Sequence, residues 1–282
     1  MALGPGIARW LLLPRFWRWR GHIFELALFI GAYLVYRFSL GVGHSDLETT
    51  ALANAERVVR LEKSLGFFWE PGWQAWAVDT SKALVRFFNG VYITTYWPII
   101  LAAAVVAYVY DRRRYYYYRS VIMLTLAGAL VVFALFPLAP PRQMPEYFVD
   151  TIRVFGPSSY GGPGMSPYYN AHAAMPSLHF GWSAVLAVLF LSTLPGWLKV
   201  FGAFYPALTF FAITITGNHY ILDAMAGGLL AGIAFAVMEL GKRRRLLRAW
   251  WWCRTLRGTP RRYRADVPQG DRGEEGDSRL SI

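Results

Sequence analysis

Two short stretches hold the residues best suited to chemistry: Pro176-Ser177-Leu178-His179 and, forty residues on, Gly217-Asn218-His219-Tyr220-Ile221-Leu222-Asp223. A neutral imidazole is a competent nucleophile toward phosphorus when the nitrogen facing the substrate carries no proton. A carboxylate that receives the other N–H fixes that tautomer and steadies the developing positive charge. His219 and Asp223 stand four residues apart, a spacing that puts them on one side of a helix. Such a pair could merely satisfy itself in a membrane interior, but ionisable groups there are costly and biased toward function. Ser177 follows a proline and can cap a helix start, where unpaired N–H groups and the helix dipole favour an anion. A phosphate held there would lie beside His179, which could protonate a departing alkoxide. A plain helix cap is the bland reading of that stretch taken alone.

Both stretches fall at the ends of hydrophobic segments, so topology decides whether they meet. The chain is 55% hydrophobic and 17% aromatic with only 16% charged residues, more apolar surface than a soluble domain buries. Apolar stretches of about 20 residues, the length that spans a bilayer, fall near 22–41, 84–110, 119–137, 177–194, 198–217 and 219–240. They predict an all-α, polytopic membrane protein with a six-helix transmembrane bundle. The net charge of +12 lies beside these segments, where Lys and Arg set topology and meet anionic lipids; nucleic acid is discounted. The single cysteine, Cys253, excludes a disulfide framework and a cysteine metal site, and among Trp250, Trp251 and Trp252 it reads as an inert thiol.

Three regions follow: a basic and aromatic interfacial segment at 1–21, a membrane domain at 22–241, and a basic tail at 242–282 that is disordered toward its end. From Asp46 to Gly66, Leu47, Ala51, Ala55, Val58, Val59, Leu61 and Leu65 make an apolar side and Glu48, Glu56, Arg57, Arg60 and Glu62 a polar one. That pattern predicts an amphipathic helix lying on the membrane. Phe67, Phe68, Trp69, Trp73 and Trp76 read as headgroup-level anchors or a lipid-entry path. Residues 156–169, rich in Gly, Pro, Ser and Tyr, predict an irregular loop. Basic residues at 15–20, 112–119, 199 and 242–264 assign those ends to the cytoplasm. Both termini are then cytoplasmic, and His179, His219 and the amphipathic helix lie at the extracytoplasmic face.

Ala174-Met175-Pro176-Ser177-Leu178-His179-Phe180-Gly181 and Asn218-His219-Tyr220-Ile221-Leu222-Asp223 resemble the second and third signature motifs of the type 2 phosphatidic acid phosphatase superfamily. They look most like its inositol-phosphorylceramide-synthase branch, an inositolphosphotransferase type, and the resemblance covers about 22–240. It implies that His219 is a nucleophile forming a phosphohistidine, that Asp223 orients it, and that His179 is the acid for the leaving group. No metal or other cofactor is implied. Phosphatases of the superfamily also supply Lys and Arg from a first motif and begin the third with Ser-Arg, where this chain has Ala212 and Ile213. A substitute cation is needed.

Arg142, in Ala139-Pro140-Pro141-Arg142, leaves the third span on the outer face, and a guanidinium can grip phosphate through two hydrogen bonds. Arg153 is the other permanent cation of that loop, and snorkelling to headgroups is the alternative for both. Asn89, Tyr92 and Tyr96 form a polar stripe on the second span, suited to a headgroup or acceptor, or to hydrogen bonds between helices. Lys82 and Arg86 read as interfacial snorkels. Asn170 and His172 precede the second motif and are further candidates for substrate contact; His22 and His44 receive no role. The expected function is cleavage of a membrane phospholipid phosphoester at the outer face in two histidine-dependent steps. Water as acceptor makes a lipid phosphatase, and an alcohol or polyol makes a phosphotransferase. The synthase-like motif tilts toward transfer of a phosphoinositol-type headgroup. A proton-coupled transporter would spread ionisable groups through the membrane depth, whereas here they gather at one face. A catalytically dead lipid-binding scaffold is the third reading.

Overall fold

The computed structural model describes residues 15–38, 46–156 and 172–257, with side chains placed in 21–36, 46–156 and 172–244. The expected tail beyond Arg264, the bulk of the 156–169 loop, His44, Asn170 and the first residues of the 1–21 segment lie outside them, as does the side chain of Cys253. The described residues form ten α-helices: α1 (Arg15–Phe38), α2 (Leu47–Leu65), α3 (Glu70–Thr80), α4 (Lys82–Thr94), α5 (Tyr96–Tyr110), α6 (Arg112–Leu135), α7 (Thr151–Phe155), α8 (Leu178–Thr193), α9 (Lys199–Ile215) and α10 (Ile221–Arg257). Short 3-10 turns occupy Pro141–Gln143 and Gly196–Leu198. By contacts the chain divides into Met1–Glu239, which holds the candidate site, and Leu240–Ile282, whose described part is helical.

Three helical stretches are long and apolar enough to cross a membrane, Arg112–Leu135, Gly196–Ile215 and Ile221–Arg244, and a fourth span results if α4 and α5 count as one. The expected continuous span 84–110 is instead two helices meeting at a 43° bend. Pro98 has no N–H to give the carbonyl of Thr94, and the hydroxyls of Thr94 and Thr95 turn back onto Gly90 and Val91 carbonyls (2.7 and 2.6 Å), which bends helices. The expected spans 22–41 and 177–194 correspond to shorter apolar helices, Gly21–Tyr36 and Leu178–Thr193. The latter has 16 residues; at 1.5 Å per residue it is about 24 Å long against a hydrocarbon core of about 30 Å. The last helix starts at Ile221 and continues to Arg257, so the first part of the expected basic tail is helical.

The apolar interior is built from Tyr118, Val121 and Leu126 of α6, Trp182, Val185 and Leu186 of α8, and Tyr205 of α9. The outward faces of the same bundle are strongly apolar, with Leu135 80% and Val109 65% exposed, as lipid contact requires. Near one end of α6, Glu25 of α1 is buried against Arg119 and accepts a hydrogen bond from the Tyr115 hydroxyl (2.7 Å). Arg119, expected as a topology charge, therefore also ties α1 to α6.

α2 departs most from expectation. Its buried residues include Ala51, Asn54, Ala55, Val58, Val59 and Glu62, while Leu61 and Leu65 are 48% and 58% exposed. At about 100° per residue, Glu62 falls in the middle of the stripe made by Ala51, Ala55 and Val58. That stripe packs on Leu138, Ala139, Ala174 and Tyr220, not on the membrane. Ala139 N–H donates to the Ala51 carbonyl (3.1 Å), and the Asn54 amide donates to Pro137 O (2.8 Å). The aromatic stretch that follows contains a further helix, α3, whose Trp73 packs on Phe210 and Phe211 of α9 while Trp69 and Trp76 stay exposed.

Candidate active site

The starts of α8 and α10 interlock. Ser177 caps α8, its hydroxyl accepting from Phe180 N–H (3.3 Å), and its own N–H donates to the carbonyl of Asp223 (2.9 Å). Gly181 and Gly227 let the two backbones touch: a methyl on Gly181 would lie 2.8 Å from the Gly227 carbonyl oxygen, and one on Gly227 would overlap the carbonyl of Ser177. In a membrane, where lipid is as apolar as leucine, such close approach does much of the work of helix association. The stretch before Ser177 is held to the loop after α6 by a parallel bridge between Leu138 and Ala173, with Leu138 N–H on His172 O and Ala174 N–H on Leu138 O (2.8 and 3.1 Å).

This interlock brings the two histidines together, their ring centroids 5.8 Å apart. His219 Nδ1 lies 2.8 Å from the Ala174 carbonyl oxygen and 3.5 Å from Asp223 Oδ2. Both neighbours can only accept, so Nδ1 of the neutral ring carries the proton and Nε2 keeps its lone pair. The nearer partner is thus a backbone carbonyl of the second motif, where the carboxylate was expected. Asp223 Oδ2 also accepts from Tyr220 N–H (2.9 Å), so the carboxylate braces the first turn of its own helix as well as the imidazole.

Before His219 the chain turns sharply at Gly217, whose φ of 68° is a left-handed conformation that suits glycine. The N–H groups of Asn218 and His219 both reach the carbonyl of Ile213 (3.0 Å each). Arg142 sits on this turn: its N–H donates to Gly217 O (2.7 Å), and its guanidinium donates to Asn218 Oδ1 and lies beside the Tyr92 hydroxyl. Arg153 stands apart, exposed on α7, where its backbone N–H is capped by Asp150 (3.0 Å).

Tyr92 and Tyr96 both lie against the ring of His179, at 4.6 and 4.1 Å between centroids. With Thr95, Tyr205, Thr209, Ala212 and Ile213 they line a narrow recess beside it. Ala212 and Ile213, the positions that the resemblance sets against Ser-Arg, are therefore small or apolar walls of that recess. Asn89 of the same stripe is engaged elsewhere: its amide donates to Thr151 O (2.8 Å) and its carbonyl accepts from the Thr151 hydroxyl (3.0 Å), which docks α7. His172 contributes its carbonyl to the bridge, and Lys82 and Arg86 are exposed.

Three side chains of the site's frame were not singled out from the sequence. Glu62 Oε1 accepts from Leu222 N–H (2.9 Å) and Glu70 Oε1 from Ile221 N–H (2.7 Å), both fully buried. Gln74 donates to Ile215 O and Val149 O (3.1 Å each), joining α3 to the end of α9. Burial and the neighbouring Glu70 push the Glu62 carboxyl up to about 9, and burial raises Glu70 as well. The available signal was positional: Glu62 continues the 51, 55, 58 stripe of buried residues.

A protein-family model described as PAP2 superfamily matches residues 56–237, well over half of the chain, including both motifs and the helices that carry them. Neither the curated proteins nor the solved structures contain a significant match.

Proposed function

The chain belongs to the PAP2 superfamily, and from that premise we propose that it transfers a phosphoryl-linked group from a membrane lipid through a phosphohistidine on His219. Membership brings membrane phosphatase or phosphotransferase chemistry on phosphoesters, metal-independent and with a histidine nucleophile, at the level of the family. The observation that carries the assignment to this residue is the 2.8 Å contact of His219 Nδ1 with the Ala174 carbonyl, which puts the proton on Nδ1 and leaves the Nε2 lone pair for attack.

In the first step His219 Nε2 attacks phosphorus, the bond from phosphorus to the lipid's leaving oxygen breaks, and His179 gives its proton to that oxygen. In the second, His179 takes a proton from the acceptor hydroxyl, the acceptor oxygen attacks phosphorus, and the P–N bond to His219 breaks. Asp223 holds the imidazole and offsets its positive charge. Arg142, set on the Asn218 turn, balances the charge that accumulates on the phosphoryl oxygens. Tyr92 and Tyr96 position His179, and Ser177 shapes the helix start beneath the phosphate. Asn89 acts through the α7 dock.

We further assign the acceptor as an alcohol or polyol, giving headgroup transfer of the phosphoinositol type. The synthase-like motif and the absence of the phosphatases' Ser-Arg at Ala212 and Ile213 support that choice. Six crossings, counting α1, α4 with α5, α6, α8, α9 and α10, with cytoplasmic termini and an extracytoplasmic site, accommodate both motifs at one leaflet; the basic segments at 1–21 and 242–282 then meet anionic lipid. Purified protein incubated with phosphatidylinositol or phosphatidic acid, with and without alcohol acceptors, tests the acceptor. Acceptor-dependent product is expected; inorganic phosphate released equally without acceptor makes it a lipid phosphatase.

A further inference from the structure

The loop that carries His219 is gripped from outside its own helix by two acids on the segment that precedes α4. Glu62 at the end of α2 and Glu70 at the start of α3 take the N–H groups of adjacent residues, Leu222 and Ile221, in the first turn of α10. Those N–H groups have no partner within their own helix, and a buried helix start needs them satisfied. Asp223 takes the N–H of Tyr220 in the same turn. Three carboxyl groups therefore crowd one buried turn that leads directly into His219.

The remaining oxygens of the two glutamates, Glu62 Oε2 and Glu70 Oε2, are buried and have no hydrogen-bond donor, yet the two carboxyl groups lie within hydrogen-bonding reach of each other. Two ionised carboxylates in that arrangement repel, and each leaves one buried oxygen without a donor. Among the described residues the titratable groups facing the pair are Asp223 and Tyr220, and no cation is among them. One proton shared between the two carboxyl groups removes that repulsion, while both Oε1 atoms stay on the backbone N–H groups.

We propose that Glu62 and Glu70 are positioning residues that share a single proton, an acid and carboxylate pair that clamps the first turn of α10 and so holds His219 and Asp223 in register with His179. The pair touches neither substrate nor the reacting atoms; it acts through the backbone of Ile221 and Leu222. The proposal deepens the catalytic reading above and rests on it only for the activity readout. Loss of the shared proton at alkaline pH loosens the turn.

The sign of the pH dependence is fixed by the direction of the shift. Glu62 keeps its proton in the folded protein up to about 9 and loses it near 4.5 when unfolded. Between those values the folded state binds more protons, so stability falls as pH rises through that window and levels off above it. Glutamine is the informative replacement: in E62Q or E70Q the carbonyl still accepts the backbone N–H, and the amide N–H₂ donates permanently to the remaining carboxylate.

The test uses the full-length protein in detergent or lipid nanodiscs. Infrared difference spectra of wild type against E62Q and E70Q are expected to show a protonated-carboxyl C=O band at neutral pH, lost as pH passes about 9 in wild type and absent in either variant. The thermal midpoint of wild type is expected to fall across the same window, with that slope flattened in the single Gln variants. In the lipid phosphotransfer assay E62Q should keep activity within a few-fold and lose the alkaline limb of the pH profile, whereas E62A should lose about tenfold or more. Absence of a protonated-carboxyl band assignable to these residues, with an unchanged pH slope of unfolding in E62Q, overturns the proposal. The spectral and unfolding readouts stand without any catalytic assay, so failure of the pair is distinguishable from failure of the proposed activity.

Discussion

At the scale of single residues, the geometry around the two histidines is organised by what each side chain can no longer do. His219 Nδ1 is committed to a carbonyl, Arg142 is anchored by its own backbone to Gly217, and Asn89 is consumed by Thr151. Arg142→Ala is therefore expected to lower kcat/KM by about 10²- to 10³-fold, as removal of a preorganised charge-stabilising donor does. Arg142→Lys should recover little, because an ammonium lacks the planar fork that meets Asn218 and phosphate together. Steady-state kinetics of the two variants check this; a lysine variant near wild type would reduce Arg142 to a point charge. Asn89→Ala should behave differently, costing about 1–3 kcal/mol of stability through the unpaired Thr151 carbonyl and leaving KM in place. Thermal unfolding beside KM reads the split. His219, Asp223 and His179 were legible in the sequence because their residue types and spacing are unusual in apolar surroundings. The Ala174 carbonyl was not, since any residue supplies one.

At the scale of elements, the site depends on how closely two helix starts approach. Gly227→Ala would place a methyl against the Ser177 carbonyl, and with Ser177 N–H bonded to Asp223 O the two helices cannot part without losing that bond. A cost of about 1–3 kcal/mol is expected for such overpacking, with a loss of activity larger than the loss of thermal stability suggests, because the His179 to His219 spacing shifts. Activity that survives unchanged in a folded Gly227→Ala would show that the interlock does not set the catalytic spacing. The positions of α2, α6, α8 and α9 could be read from periodicity and hydropathy. The buried face of α2 was legible in part: Ala51, Ala55, Val58 and Val59 are buried as their pattern implied, but Leu61 and Leu65 look like core and are exposed, and Glu62 looks like surface although it continues the 51, 55, 58 stripe. The break between α4 and α5 escaped a hydropathy window for a related reason, since Pro98 and the Thr94 and Thr95 hydroxyls change hydrogen bonding without changing apolarity.

At the scale of the whole molecule, long apolar helices with outward-facing leucine and valine mark an integral membrane protein. The charge pattern adds an orientation that the fold by itself leaves open. In a Cys253→Ser background, Glu146→Cys is expected to react with a membrane-impermeant maleimide from outside intact cells, and Arg113→Cys only after permeabilisation. Reversed labelling would move the active site to the cytoplasmic leaflet and exclude an external acceptor. The parity of the expected crossings is what lets the sequence bring His179 and His219 to one face, since an odd number of crossings between them would separate them.

The central claim is that His219 carries the transferred group, and it is tested most directly by quenching the full-length enzyme during turnover of a phospholipid radiolabelled at phosphorus. Label on the protein is expected to be acid-labile and base-stable, to map to the peptide containing His219, and to vanish together with turnover in a folded His219→Ala variant. Turnover or protein-bound label persisting in that variant would contradict it.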